Sequence, residues 1–526
     1  MTNPSHPSHP VHSVHPEHPV CTVRPVRDIV VVGAGAAGTL TATRLLRHAA
    51  ADGGSACRIW LLGPGPTGRG LAFGTDAPHH LLNVPAAKMS AHWDEPDHFV
   101  RWLDRLGHDE VFARRGLYGR YLADSLDEAT RLDGAPRLLR LQERVVGISH
   151  QADTGTHTST RTRTEGGSAE PSLTLRLESG RVLSADAAVL ALGNFRADQS
   201  WAPPALRDSA RFLADPWAPG FAAAVAETDD VLLVGTGLTM VDIALTLQRP
   251  GRVVHALSRH GLLPQPHAAS LPAPAVPPPH LDARGGLPEL RRTVLRHLAR
   301  CRRVHGDWRP GVDSLRSVTT ALWQQLPPAD RAAFLREDLR QWETHRHRIP
   351  PNSAAALQGA LDGGRVTVGS GAVAEAEVTA DGVRVVLADG RTLTVAAVVN
   401  CTGSQTDLTR VDDPLVGELL GSGLAMPAPV GGGFGCTPAG QLLAAADRVR
   451  APLWTLGSLR RGDLLETTAI PEIRSQADAL AVTLLSRNDS HNDSRSRSGA
   501  RGPSDAPAVD REPEPAVVAH SRSAAF

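Results

Sequence analysis

Two short, wholly apolar runs punctuate the chain, and each breaks into glycine. Ile29-Val30-Val31-Val32 leads into Gly33-Ala34-Gly35-Ala36-Ala37-Gly38, and Val231-Leu232-Leu233-Val234 leads into Gly235-Thr236-Gly237-Leu238-Thr239. An unbroken apolar run of this length suits a strand buried on both faces, and the sequence after each glycine turn predicts a helix. A second echo follows. Arg181 to Gly193 (RVLSADAAVLALG) matches Arg391 to Gly403 (RTLTVAAVVNCTG) in Arg, Leu, Ala, Val and Gly at the same offsets. Two copies of strand, glycine turn, helix, hairpin and closing strand predict an α/β chain with two dinucleotide-binding, Rossmann-like domains. Two such sites in one chain let one nucleotide reduce another.

Around this repeat the pattern fades. Residues 1–25 carry His6, His9, His12, His15 and His18 interleaved with proline, and residues 486–526 are rich in Ser, Asp, Arg, Pro and Ala. Neither tail buries enough apolar surface to offset the entropy of ordering, so both are expected to be disordered. The histidines read either as metal ligands or as part of a proline-stiffened extended tail. Thr154 to Ser172 reads as a long surface loop, and Pro264 to Pro279 as an extended connector.

The first turn has all three glycines of the dinucleotide fingerprint in the expected setting. Gly33 permits the tight turn, Gly35 lets backbone approach a pyrophosphate, and Gly38 lets helix pack on strand. One element is missing. The next strand, Arg58 to Leu62, should end in an acid that binds the adenosine ribose, and Gly63 stands there. Thr67 or backbone then takes the ribose, or Arg69 faces a phosphate. The second turn keeps Gly235 and Gly237 but has Met240 in the third position, which places its helix further from its strand. Its following strand ends at Ser258-Arg259 rather than in an acid, a pair suited to a 2′-phosphate and hence to NADPH. A plain surface arginine at a strand end is the other reading.

Composition narrows the field. With 55 basic and 55 acidic residues, the formal net charge is zero, which gives no support for a nucleic-acid or anionic-membrane partner. The five cysteines include no C-x-x-C pair, which fits a reducing cytoplasm and argues against a dithiol redox centre. No apolar run reaches the roughly 18 residues of a membrane span. No spacing suggests a metal site or a nucleophilic triad.

Several blocks together resemble a bacterial FAD/NAD(P)-binding family that includes FAD-dependent urate hydroxylase and flavin-dependent aspartate N-monooxygenase. They are Gly68 to Thr75 (GRGLAFGT), His80 to Ala86 (HLLNVPA), Met89 to Ala91, Tyr118 to Leu122 (YGRYL), Gly235 to Asp242 (GTGLTMVD) and Leu257 to Gly261 (LSRHG). Gly306 to Arg309 (GDWR), Trp342 to Arg348 (WETHRHR) and Glu466 to Arg474 (ETTAIPEIR) complete the set, so the resemblance spans about residues 26–485. It implies FAD at the first turn, in a discontinuous domain of residues 26–200 and 404–485. It also implies NADPH in an inserted domain, residues 225–403, itself interrupted by a helical segment near 285–350. The chemistry implied is that of a flavin monooxygenase. NADPH reduces the flavin, oxygen adds to give a C4a-hydroperoxyflavin, and one oxygen atom passes to a small polar, anionic substrate by amine N-hydroxylation or purine-type hydroxylation. A reductase or oxidase without oxygen insertion, and a non-catalytic nucleotide sensor, are the rival classes.

Within that frame, Gly33, Ala34, Gly35, Ala36, Ala37, Gly38, Met89, Gly193 and Thr468 are expected at FAD. Gly235, Thr236, Gly237, Leu238, Thr239, Ser258 and Arg259 are expected at NADPH. Asn83 reads as an amide that bonds the flavin or its peroxide, or as an Asx turn ahead of Pro85. His345, Arg346, His347 and Arg348 read either as an anion-capturing cluster for the substrate or as a solvated helix end. Trp308-Arg309 and Arg316 join them as weaker candidates. Glu466 to Arg474 reads as the start of a late helix, capped by Thr467 or Thr468, that closes the FAD site.

Overall fold

The computed structural model describes residues 27–53, 57–151, 173–225, 229–268 and 275–486. Both tails and the 154–172 loop lie outside the described residues.

The two apolar runs become the central strands of two parallel sheets with one layout. In the first sheet the order is Leu453–Thr455, Ala187–Leu190, Arg27–Val32, Cys57–Leu62, Arg137–Leu141. In the second it is Phe212–Leu213, Ala397–Asn400, Val231–Val234, Val254–Ser258, Val366–Ser370. Val32 pairs with Leu190 just before the first glycine turn, and Val234 pairs with Asn400 just before the second. The sequence echo thus marks equivalent strands. Each closing strand follows a three-stranded antiparallel sheet, ending in Val182–Ala185 in one case and Thr392–Val395 in the other. This is the expected α/β class with two Rossmann-like folds.

Burial explains why the runs carry no alternation. Ile29 and Val31 face one core with Leu40, Leu45 and Tyr118, while Val30 and Val32 face another with Leu190, Leu415 and Phe434. A strand covered on both faces gains from apolar residues at every position. Helix Ala36–Ala51 shares its core with the late helix Ile470–Ser486, so the end of the described chain packs beside the first glycine turn.

Between strands Val254–Ser258 and Val366–Ser370 stand the helices Gly286–His305, Arg309–Gln325, Pro328–Glu337 and Leu339–Arg346. The last two of these are separated at Asp338 (φ −105°), whose carboxylate accepts from Arg291 Nε at 3.2 Å. Three Arg–Glu pairs fasten these helices to the late segment. Arg316 grips Glu472 at 2.6 and 2.7 Å, Arg346 grips Glu466 at 3.1 and 3.0 Å, and Arg461 reaches Glu343 at 2.5 Å. The described part of the proline-dense connector also does more than span a gap. Its residues 265–267 bond to Thr344 and Ile349 through Gln265 N–H to Thr344 O (2.9 Å) and His267 N–H to Ile349 O (2.9 Å).

Candidate functional site: two glycine turns on one cleft

At the first turn the glycines are required by contact. Gly33 sits at φ +113°, and a Cβ there would lie 2.2 Å from the carbonyl oxygen of Ala191; one on Gly38 would lie 1.7 Å from that of Gly33. The GRGLAFG block lies over this turn. Gly68 N–H donates to Ala34 O at 2.9 Å, and a Cβ on Gly70 would stand 3.0 Å from Gly35 Cα. The missing ribose acid has a steric cause, since a Cβ at Gly63 would fall 2.7 Å from Ala34 N. Arg69, considered for a phosphate, is turned to Asp76.

The late segment closes on the same place. Ser458 Oγ donates to Gly193 O at 2.8 Å, and Gly457 lies where a Cβ would touch Ala37 (3.9 Å) and Ile473 (3.7 Å). Thr467, expected as a helix cap, is instead buried and donates to Gly457 O at 2.9 Å; its neighbour Thr468 is exposed. Just before them, Leu465 is the one non-glycine with positive φ among the described residues (φ +57°). Glu466 N–H donates to Leu464 O at 2.7 Å across it, a γ-turn costing on the order of 1–3 kcal/mol.

The HLLNVPA segment runs beside residues 111–115, with Leu82 N–H to Ala113 O and Ala86 N–H to Val111 O both at 2.8 Å. Asn83 is half-buried, and its carbonyl bonds His267 Nε2 at 2.9 Å. The Asx turn considered for it cannot form onto Pro85, which has no N–H. Met89 is 3 % exposed and belongs to the first core. Beyond it, Arg474 of the late helix donates to Ser90 O at 2.6 Å, tying this segment to the late one.

The second turn repeats the first geometry. Gly235 also sits at φ +113°, and its Cβ would lie 2.1 Å from Cys401 O. Thr236 Oγ1 donates to Leu262 O at 2.6 Å and meets Ser258 Oγ at 2.8 Å. Ser258 Oγ also accepts from Gly261 N–H at 3.0 Å. The Ser258 hydroxyl is therefore committed to the loop, and exposed Arg259 is the strand-end group left facing outward. Leu238 and Thr239 open the helix Leu238–Leu247, capped by Gly237. A residue with no signature in the sequence also stands here. Arg340 donates through one guanidinium nitrogen to Thr236 O (3.0 Å) and Leu262 O (2.8 Å).

A cleft of about 940 Å³ runs between the two folds, lined by Gly33, Gly63 and Glu143 on one side and Thr239, Asn400 and Gly403 on the other. Beside it, Arg115 pairs with buried Asp242 at 2.9 Å, and His79 and His80 meet Thr246 at 2.8 and 3.0 Å. Burial pushes the Asp242 carboxyl up to about 6 against the pull of Arg115. Burial, reinforced by the His79 and Arg115 charges, pushes His80 down to about 4.

The four potential cations at 345–348 do not gather into one cluster, and burial, reinforced by the Arg346 charge, pushes the His347 imidazole down to about 4. Arg346 is spent on Glu466, and His345 packs its ring on Trp308 at 4.8 Å. His347 N–H continues the helix to Glu343 O at 2.8 Å. Arg348 pairs with Asp313 and is 5 % exposed, yet its Nε and one terminal nitrogen have no partner among the described residues. Its guanidinium stands 6.0 Å from the Trp308 ring, on which Arg309 stacks at 4.9 Å. Arg309 in turn donates to Pro266 O at 2.8 Å, next to the His267 that bonds Asn83. Arg316 is held by Glu472 through Nε and one terminal nitrogen.

Comparison with known proteins agrees with this fold. Residues 30–195 match a family described as FAD-NAD(P)-binding. No curated protein sequence is similar enough to match the chain. Among solved structures, ornithine hydroxylase from Pseudomonas aeruginosa is 16% identical, over 88% of this chain and 100% of that one, at a TM-score of 0.57. The ornithine N-hydroxylase of Kutzneria sp. 744, solved with reduced FAD, NADP+ and L-ornithine, is 16% identical over the same shares, also at 0.57. L-lysine 6-monooxygenase from Pseudomonas syringae is 19% identical, over 88% of this chain and 99% of that one, at 0.54. At these identities the likeness is one of fold, and the described helices include none long and apolar enough to cross a membrane. The first third of the chain carries an FAD/NAD(P)-binding domain, within the two-domain fold that these flavin enzymes share.

Proposed function

We propose that the chain is an NADPH-dependent FAD monooxygenase that hydroxylates the amine nitrogen of a small polar, anionic molecule. The observation that carries this reading is the pair of like glycine turns beside one cleft of about 940 Å³, which the first lines with Gly33 and the second reaches at Thr239. The solved structures that share the fold over most of the chain act on ornithine and lysine, which favours the amine branch over the purine branch.

FAD, when bound, takes a hydride from the nicotinamide and passes electrons to oxygen. The chain's own contribution is placement. Backbone N–H groups at the start of helix Ala36–Ala51 would hold the FAD pyrophosphate, on a turn whose tightness requires glycine at 33 and 38, where any Cβ would strike the carbonyls of Ala191 and Gly33. The second turn would hold NADPH in the same way, with Arg259 at its 2′-phosphate. Asn83 and the Gly193–Ser458–Thr468 closure would border the flavin from opposite elements. Arg348, with two unpartnered N–H-bearing nitrogens, offers a carboxylate a charged partner that the chain itself does not supply. His267 would fix the Asn83 backbone between them.

Turnover of FAD-loaded protein under labelled dioxygen, with diamino acids and their decarboxylated amines as candidates, tests this reading. A hydroxylamine carrying one labelled oxygen per NADPH consumed is the expected result. Labelled product from purines alone moves the assignment to the other branch. Peroxide as the sole product with every substrate rejects oxygen insertion.

A further inference from the structure

Resting on the reading that the second glycine turn holds the nicotinamide nucleotide, we propose that Arg340 is a pyrophosphate ligand supplied from outside the nucleotide fold. It belongs to the helix Leu339–Arg346, not to the sheet that carries the turn. Its terminal nitrogen donates to one carbonyl in each of two loops, Thr236 O at 3.0 Å and Leu262 O at 2.8 Å. Those bonds fix the planar guanidinium against the turn. Its other terminal nitrogen lies 3.8 Å from the point that a Cβ on Gly237 would occupy. Gly237 is the second glycine of the turn, where backbone approaches a pyrophosphate most closely, and the N–H groups of helix Leu238–Leu247 begin there.

The charge is available. The nearest carboxylate, Glu343, stands 4.0 Å from Arg340 and is already held by Arg461 at 2.5 Å, so two guanidinium groups share one acid. A phosphate oxygen would complete a fork that the protein leaves half used. The division of labour then differs from that expected at a strand end alone. Arg259 discriminates NADPH from NADH, while Arg340 binds what the two share. The same short helix carries Arg346, bonded to Glu466 of the late segment at 3.0 Å.

Calorimetric titration of the FAD-loaded protein with NADP+, NAD+ and adenosine 2′-monophosphate separates these roles without turnover. For Arg340→Ala, NADP+ and NAD+ should weaken by the same factor, about tenfold or more. Adenosine 2′-monophosphate, which has no pyrophosphate, should bind unchanged. Arg340→Lys should recover part of the loss. Arg259→Ala should weaken NADP+ and the 2′-monophosphate but not NAD+. Unchanged NADP+ affinity in folded Arg340→Ala, or equal weakening of the 2′-monophosphate, overturns the assignment. Thermal unfolding reports folding of each variant, and Arg340→Lys carries the same comparison if the alanine variant does not fold. A wild-type protein that binds none of the three rejects the nucleotide reading itself, and the Arg340 role with it.

Discussion

The two glycine turns share a strand register, a φ of +113° at the first glycine and a carbonyl pressed against it, yet they are locked by different means. The first is closed mainly by its own backbone, with a single hydroxyl helping, since Thr39 Oγ1 donates to Ala34 O at 3.2 Å and accepts from Gly68 N–H at 3.1 Å. Gly38 packs on Gly33, Gly63 on Ala34, and the Gly68–Gly70 turn lies over Gly35. The second is closed by side chains, with Thr236, Ser258 and Arg340 bonding the loops together and Met240 filling the place of the third glycine. A backbone lock tolerates almost no substitution and suits a nucleotide that stays bound. A side-chain lock can be loosened and remade, which suits a nucleotide that enters and leaves on every turnover. We therefore expect the two sites to respond differently to the same kind of damage.

The largest difference should appear at the third glycine. Gly38→Ala places a methyl on a carbonyl oxygen and should destabilise by more than about 3 kcal/mol, with loss of bound flavin. Met240→Leu, at the matching position, should cost less than about 1.5 kcal/mol and keep the flavin. Flavin absorbance and thermal unfolding of the two variants make this comparison directly.

Next comes the closure between them. Arg346 and Glu466 are 11% and 8% exposed. Arg346→Ala leaves Glu466 buried and unpaired, and should cost about 3–5 kcal/mol. Replacing both by methionine should restore much of that loss, as urea unfolding of the single and double variants would reveal.

A smaller effect is expected at the strand ends. Gly63→Asp restores the acid that a ribose usually finds, but its Cβ meets Ala34 N, so FAD affinity should fall and not rise. Ser258→Ala removes a hydroxyl bonded on both sides and should cost about 1 kcal/mol, visible as a slightly lower Tm with FAD retained.

The weakest expected effect is the pH response where the two folds meet. His80, neutral in the folded chain down to about 4, contributes stability that is complete above about 6.5 and is lost as pH falls through that window. Asp242, protonated up to about 6, does the reverse, its contribution being lost as pH rises from its ordinary value of 3.8 through 6. Asp242→Asn should therefore steepen the acid loss of stability between about pH 6 and 4, and His80→Gln should flatten it. The change is about 1–3 °C in Tm across a pH series.

How much of this could be read in the chain follows the range of the interactions. The central strands and their glycine turns were legible because burial on both faces leaves an unbroken apolar run, and a turn against a carbonyl demands glycine locally. The departure at Gly63 was legible as a missing acid, but its cause, the approach of Ala34, exists only in the folded turn. The basic residues at 345–348 carried no mark of their separate partners. Arg346 finds Glu466 and Arg348 finds Asp313 only after four helices have packed. Arg340 was invisible for a plainer reason. An arginine on an amphipathic helix looks like any solvated charge until the helix is laid across the second glycine turn.

Anaerobic mixing of the purified, FAD-loaded protein with NADPH tests most directly whether these two sites work as a pair. Loss of the oxidised-flavin absorbance at a rate that saturates with NADPH, and more slowly with NADH, is the predicted result. A protein that binds no flavin, or whose flavin stays oxidised in the presence of either nucleotide and candidate amines, contradicts it.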